Sequence, residues 1–421
     1  MAAKRKQPVK EDDLVCLKLV QAILPVCAAL KRKHPEVHGN TKLRQTDCLV
    51  VLLCAFFNPI VRSLRLIEQL SEIPWVQEQL GPDRVCRSTL SDALERFDPE
   101  FLVLVINQLM QQIPHLRQRD GDLAKVCKRI IAGDGSTFNL ASDVAWAMMR
   151  RRGGRKGSDA HGTCRLNLQI DVDRFIPADL SLSGSDEGSE AAAFMKRIIS
   201  GVVYLLDRNF VHFGMINAVL DHGSDFVLRL KASTKFHFTE ELVLTAKDVE
   251  AGVISDRVGV LPGSAGSRTG PPPTQTLREV IVKGSDGKPL RLLTNLLDVP
   301  AHVIAELYRL RWQVELFLRW LKVCVGFEHL ISHSKNGITF NFYVAVIGCL
   351  LMHVRTGRKV NKYAVFLFGQ VAAGMTTLEK ILPMLERIER EKELERQRRA
   401  RKKAQKMLDG TSSKNPALLS G

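Results

Sequence analysis

The segment Ala305 to Lys322, AELYRLRWQVELFLRWLK, constrains the fold more than any other part of the chain. Val303, Leu307, Leu310, Val314, Phe317 and Leu321 recur at four-three-four-three-four, the spacing that lines one side of an α-helix at about 100° per residue. A helix here must bury that stripe against a core. Tyr308, Arg311, Glu315 and Lys322 follow at steps of three, four and seven and fall within about 60° of one another, about 110° from the apolar stripe. The polar stripe therefore lies beside the core-facing one rather than opposite it. A carboxylate set among donors suited to phosphate points to a site that handles nucleic-acid backbone. A solvated helix carrying the i,i+4 pair of Arg311 and Glu315 meets the same spacing.

With 421 residues, 45% hydrophobic and 25% charged, the chain is long enough for two or three domains with real cores. Its 61 Lys plus Arg against 45 Asp plus Glu leave a net charge of +16, which favours a polyanionic partner, nucleic acid first. The nine cysteines are scattered without a C-x-x-C pair, as expected of thiols in a reducing compartment rather than zinc ligands or disulfides. The longest apolar runs, Cys48 to Ile60 and Val344 to Val354, read as too short to span a bilayer, and Met1 to Lys10 lacks a signal-peptide core. The expectation is a soluble intracellular protein with no membrane partner.

Along the chain, residues 11 to about 33 and 41 to 120 carry helical periodicity broken at Asn58-Pro59, Gly81-Pro82 and Asp98-Pro99, which predicts an all-helical front third. Within it, Arg84 to Leu94 reads as the start of a recognition helix with Ser88 as N-cap and Arg84 and Arg87 near phosphates; an ordinary capped helix is the other reading. From about 126 the texture turns to strands at Lys128 to Asp134, Arg165 to Val172, Ile176 to Leu182, Val202 to Asp207 and Phe226 to Lys231, with a helix predicted over Glu187 to Ser200. Strands alternating with helices predict an α/β core. Residues 232–300 have β character, with a hairpin of Arg278 to Lys283 and Pro289 to Thr294 around Gly284-Ser-Asp-Gly287, and read as an insertion. Helices follow at the Glu315 segment, near 342 to 355 and near 377 to 407, the last turning basic from Arg396 to Lys406. Five cations between Arg150 and Lys156 lie close to Trp146, a pattern suited to clamping DNA backbone or to a solvated loop.

Cleaving a phosphodiester at neutral pH calls for divalent metal held by several carboxylates, so Glu315 needs partners. Asp134 and Asp207 each close an apolar strand-like run, the place where open α/β sheets present ligand-binding residues. A turn Asp between Gly133 and Gly135, and a helix cap in Asp207-Arg-Asn, are the bland readings of the same residues.

Together these acids and the Tyr308, Arg311, Glu315, Lys322 set resemble the DDE transposases of the insertion-sequence-four type, whose third acid lies in a Tyr-x2-Arg-x3-Glu-x6-Lys signature matched here at every step. The likeness extends to Ile-Ala-Gly-Asp134-Gly-Ser, Leu-Leu-Asp207-Arg-Asn-Phe and Leu-Leu-Thr294-Asn-Leu, and covers roughly residues 125 to 355. The resemblance implies a ribonuclease-H-like mixed-sheet catalytic core in two parts, 126–231 and 301–356, interrupted by the β-rich insertion at 232–300. A basic helical segment at 1–40, a helical DNA-binding domain at 41–125 and a helical basic C-terminal region at 357–421 complete the expected organisation. It implies Asp134, Asp207 and Glu315 as catalytic metal ligands for two magnesium or manganese ions, and Tyr308, Arg311 and Lys322 as DNA-binding residues. The implied activity is cleavage at transposon ends and strand transfer, in cut-and-paste transposition. The partners would be double-stranded DNA, as inverted-repeat ends and target, and further copies of the chain, at the nucleoid of a prokaryotic cytoplasm.

One departure bears on the route. Relatives stack an inserted-region aromatic on a base flipped from a DNA hairpin, but Trp75, Trp146, Trp312 and Trp320 all lie outside 232–300, which holds Phe236 and Phe238 instead. Two other functions keep the same residues: a domesticated, non-catalytic DNA-binding protein, and a metal-dependent nuclease without strand transfer.

Overall fold

Strand alternation sets the layers of this protein. The computed structural model describes residues 23–33, 43–57, 61, 63–74, 77–78, 84–113, 119, 121–140, 146, 148–151, 160–184, 188–263, 270–284, 287–325, 332–357, 362–372 and 375–412. The front third contributes helices α1 (Leu24–Lys33), α2 (Gln45–Phe57), α3 (Leu64–Leu70), α4 (Arg87–Arg96) and α5 (Phe101–Gln111). Beyond a 3-10 turn at Gly121–Lys125 come strands β1 (Arg129–Asn139), β2 (Met148–Arg151), β3 (Ala160–Asp171), β4 (Ile176–Ser183), β5 (Val202–Leu206), β6 (Asp225–Arg229), β7 (His237–Glu241), β8 (Val253–Val260), β9 (Leu277–Lys283) and β10 (Pro289–Thr294). Helices α6 (Glu190–Met195), α7 (Phe213–Asp221) and α8 (Ala246–Glu250) lie between strands. The chain then runs through α9 (Ala301–Leu310), α10 (Trp312–Val325), α11 (Lys335–Thr356), α12 (Lys362–Ala372) and α13 (Leu378–Ser412).

All ten strands form one mixed sheet in the order β2-β3-β1-β5-β6-β10-β9-β8-β7, with β4 also on β3. The β1–β5 and β5–β6 pairs are parallel, joined by crossovers that carry α6 and α7, and the other pairs are antiparallel. β5, Val-Val-Tyr-Leu-Leu, is buried at every residue, as a central strand covered on both faces must be. Alternation divides those faces. Ile130, Ala132, Val203, Leu205 and Val227 pack with α9, α10 and α11 on one side. Ile131, Tyr204, Leu206, Phe226 and Leu228 pack with α6 and α7 on the other. The mixed α/β architecture follows, with a large mixed sheet between helical layers.

The structure departs from the sequence reading in several places. Ser88 is not a cap: α4 begins at Arg87 with Cys86 as its N-cap, and Arg84 is engaged by Glu68 at 2.9 Å and Glu72 at 3.1 Å. The helix predicted over Glu187 to Ser200 is limited to Glu190–Met195; Gly188 lies outside it at φ +74°. Lys335–Val354, 20 residues, is one helix long and apolar enough to cross a membrane, longer than the apolar run suggested. Most of it is buried inside the protein, against α2, α4, α5 and α10. Strands β7 to β10, in the stretch read as an insertion, extend the same sheet from β6 outward. The cations Arg152 to Lys156 and residues 11–22 lie outside the described residues.

The outer strands also fix where α9 begins. Arg278 on β9 grips Asp256 on β8 through two bonds, Nε to Oδ1 at 2.7 Å and Nη2 to Oδ2 at 2.6 Å, with each side chain only 5% exposed. Its remaining nitrogen, Nη1, donates to the carbonyls of Leu296, Leu297 and Val299, the turn that leads into α9. Pro300, the N-cap of α9, has no capping side chain. Asp248 of α8 supplies the cap instead, accepting from the His302 N–H at 2.8 Å. These contacts satisfy backbone groups that a helix entry leaves open. Arg278→Met should strand a buried carboxylate and three carbonyls and cost about 3–5 kcal/mol, read as a lower urea midpoint. The Asp256→Asn, Arg278→Met double variant should lose less than the sum of the single losses.

Candidate active site

The parallel ladder of β1 and β5 ends with Ala132 opposite Leu205, and Asp134 and Asp207 each lie two residues further on. Period-two alternation therefore gives both the face of Ala132 and Leu205, the face covered by α9 and α10. Asp134 is mid-strand, opposite Leu168 of β3, because β1 runs on to Asn139 past the apolar run. Its Oδ1 accepts the Gly135 N–H at 2.9 Å. Asp207 caps the 3-10 turn Arg208–Phe210, its Oδ1 accepting from Asn209 at 2.7 Å.

Glu315 sits in the first turn of α10. The apolar stripe of Val303, Leu307, Leu310, Val314, Phe317 and Leu321 is buried as a unit, which orients the polar stripe beside it. The helix is not uniform: α9 ends at Leu310 and α10 starts at Trp312. The Arg311 N–H turns to Tyr308 O at 3.1 Å, and the Val314 N–H to Arg311 O at 3.1 Å, a local 3-10 tightening at the joint. Arg311 holds Glu315 in an ion pair, and its guanidinium lies 5.7 Å from the Tyr308 ring centroid. Lys322 is exposed, with its ammonium 5.2 Å from the Phe138 ring centroid, four residues along β1 from Asp134. The i,i+4 pair expected of the polar stripe forms, and its Arg311 stands in the field of Asp134.

The glycines around Asp134 are not a turn. On the opposite face of β1, a Cβ at Gly133 would meet the Phe194 ring at 2.4 Å, and one at Gly135 would meet Glu190 Oε1 at 2.4 Å. Their missing side chains let α6 lie directly on the strand. Glu190 thereby enters the site, a residue that sequence reasoning passed over. The available signal was the Gly-Asp-Gly pattern itself, which also marks a strand approached closely by another element.

Charge couples these groups. Burial, then Glu190 and Asp207, push the Asp134 carboxyl up to about 7, against the pull of Arg311. Burial and then Asp207 also raise Glu190. Burial opposes the Arg311 charge, but Tyr308, Glu315 and Asp134 hold its pKa above the ordinary value. Oxygen donors of this kind suit hard divalent cations. As arranged, no three His, Cys, Asp or Glu side chains among the described residues form a group that could hold an ion, and Glu315 is paired with Arg311. That guanidinium and Arg165 are the positive charges that act on these acids.

Residues 125–352 match the family described as Transposase DDE domain. The chain belongs to this family. It is a DNA transposase, a DDE enzyme of the insertion-sequence kind, and the matched span holds all six residues named by the signature and the two aspartates. The transposase is 25% identical over 278 residues to a putative transposase, y4zB, of Sinorhizobium fredii, covering 66% of this chain and 74% of that one. It is 27% identical over 150 residues to a probable transposase for insertion sequence element IS5377 of Geobacillus stearothermophilus, covering 36% and 38% of the two chains. Over 80 residues it is 32% identical to a putative transposase for element IS4SA of Synechocystis, 17% of this chain and 24% of that one. Enzymes of this family depend on metal.

The raised Asp134 pKa has a sign that stability can report. Between the ordinary 3.8 and about 7 the folded state keeps a proton that the unfolded chain releases, so metal-free stability falls as pH rises through that window. Asp134→Asn should remove this fall. In EDTA at about pH 8 its Tm should exceed the parent's by roughly 2–3 °C, for about 2 kcal/mol regained, with the difference closing below about pH 4; equal pH profiles would contradict it.

Proposed function

We propose that this transposase cuts DNA at the ends of its element and joins the freed ends to target DNA by cut-and-paste movement, with Asp134, Asp207 and Glu315 as ligands of two magnesium or manganese ions. The observation that carries the reading is the placement of both aspartates on the sheet face covered by α10, whose first turn bears Glu315. Bound there, two divalent ions would activate a water or 3′ hydroxyl and stabilise the leaving oxygen of an in-line displacement. Glu315 joins the aspartates when Arg311 releases it. The half-buried guanidinium has a planar fork that matches phosphate, so incoming backbone is the natural competitor for Glu315. Tyr308 supplies a phenol beside it, and Lys322, exposed over Phe138, a mobile point charge for the neighbouring phosphate.

The same reading takes β4, β3, β1, β5 and β6, with three strands antiparallel and then two joined in parallel, as the core of a ribonuclease-H-like fold in 126–231 that is completed by 301–356. Strands β7 to β10 form the β-rich part at 232–300, the helices of 41–125 bind DNA, and the basic end of α13 adds phosphate contacts. Pairing two ends calls for a homo-oligomer on DNA, at the nucleoid of a prokaryotic cell. Phe238, 52% exposed on β7 with Arg257 at 4.8 Å from its ring centroid, is the aromatic that the outer strands offer to DNA.

Glu315→Gln, incubated with magnesium and labelled duplex from the flank of its reading frame, should nick at least about 10²–10³-fold more slowly while binding that duplex within a few-fold of the parent. Nicking at the parent rate would sink the assignment. Lys322→Ala should weaken binding evenly across sequences and lower the slope of log K against log salt by about 1.

A further inference from the structure

Strand β1 is buried from Ile130 to Gly133 and again at Phe138, and only half-buried over Asp134 to Thr137 between them. Its ladder with β3 runs without a bulge from Ile131 opposite Asp171 to Asn139 opposite Thr163, so alternation gives Ala132, Asp134, Ser136 and Phe138 one face. Within the half-buried window that face presents two side chains, the Asp134 carboxyl and the Ser136 hydroxyl. An apolar residue at 136 would have continued the face on which Ala132 and Phe138 pack with α10 and α11. The chain places a hydroxyl there instead, and it makes no hydrogen bond to any described residue.

Helix α10 lies along this face of β1 and runs in the same direction. Arg311, just ahead of its first residue, stands in the field of Asp134, while Lys322, near its other end, has its ammonium 5.2 Å from the Phe138 ring centroid. Phe138 is itself held edge-on by Phe342 at 5.1 Å. At about 3.3 Å per residue, about 13 Å of strand separates Asp134 from Phe138, and Ser136 is midway. Between Glu315 and Lys322 the same side of α10 carries Leu318, which is buried, and Arg319, whose guanidinium lies 5.7 Å from the Trp312 ring centroid. The donor at the midpoint therefore comes from the strand.

We propose that Ser136 binds the DNA backbone, its Oγ–H donating to a non-bridging oxygen of the phosphate next to the one that reacts at Asp134. The proposal rests on the reading of Asp134 as a ligand at the reacting phosphate. A DNA strand laid along β1 then meets the carboxyl, a neutral donor and the Lys322 ammonium in turn, at steps of two residues or about 6.6 Å of strand. A hydroxyl suits the middle position because it donates to phosphate without adding charge beside Asp134. A cation there would take Asp134 as its partner, as Arg311 takes Glu315. Ser136 thus fixes where the backbone lies relative to Asp134 and reads no base.

The test uses the full chain, magnesium and labelled duplex from the flank of its reading frame, and compares Ser136→Thr with Ser136→Val. Both replacements are β-branched and differ by the hydroxyl, so a change in packing affects them alike. Ser136→Thr should nick at close to the parent rate and Ser136→Val at least about tenfold more slowly, as expected for one lost hydrogen bond to a charged group. A single uncharged methylphosphonate is then placed at each phosphate around the mapped nick in turn. At one position beside the nick the two variants should become equal, because the partner of the hydroxyl is gone. Equal nicking of unmodified duplex by both variants, with nicking lost in Asp134→Asn, overturns the role of Ser136 and leaves Asp134 standing. A gap that survives at every modified position assigns the hydroxyl to structure and also overturns the proposal. Parent-rate nicking by Asp134→Asn overturns the underlying reading, and the proposal with it.

Discussion

The parallel register of β1 against β5 is the constraint on which the site depends. With Ala132 opposite Leu205, Asp134 and Asp207 arrive side by side with their side chains on one face. Slipping either strand by one residue would move its acid to the opposite face. Buried apolar residues on both sides of these central strands prevent such a slip, since every core contact would be inverted with it. Packing energy, spread over two cores, thus holds the relative position of two charges that would otherwise separate.

The helix joint at Arg311 brings the third acid to that face, and it depends on distant supports. Val303 to Leu321 are buried as one stripe, which sets the rotation of α9 and α10 over the sheet. The entry to α9 is held by Arg278 and Asp248, residues from the outer strands and the small helix between them. The region after β6 is therefore mechanically joined to the site. Arg311 itself neutralises Glu315 and stands in the field of Asp134, so one guanidinium screens two of the acids.

Much of this was legible in the chain. The apolar stripe of the Tyr308 to Lys322 helix, the strand at Val202 to Asp207 and the hairpin around Gly284 to Gly287 all appear as read, because each follows from local periodicity and turn chemistry. Asp207 is a cap and remains a candidate site residue, since one carboxylate can serve its own backbone and still face a ligand. Gly133 and Gly135 were harder. Glycine signals a turn or a close approach equally well, and only the position of Phe194 and Glu190 on another element decides between them. Ser88 is not the cap because Cys86 already begins the helix, a two-residue difference in boundary that propensity does not resolve. The apolar run marks only part of α11 because its first turn is polar while its burial comes from four neighbouring helices.

By itself the sequence determined at which spacings the acids and cations recur and which face of each element they occupy. Helical and strand periods are properties of covalent geometry, and the Tyr-Arg-Glu-Lys stripe needs no partner to exist. Tertiary structure alone decided which faces meet: that the parallel ladder aligns Asp134 with Asp207, that Arg311 spends its charge on Glu315, and that α6 brings Glu190 through a gap left by two glycines. Those are contacts between residues far apart in the chain, fixed by the burial of two cores, and no local spacing encodes the distance between them.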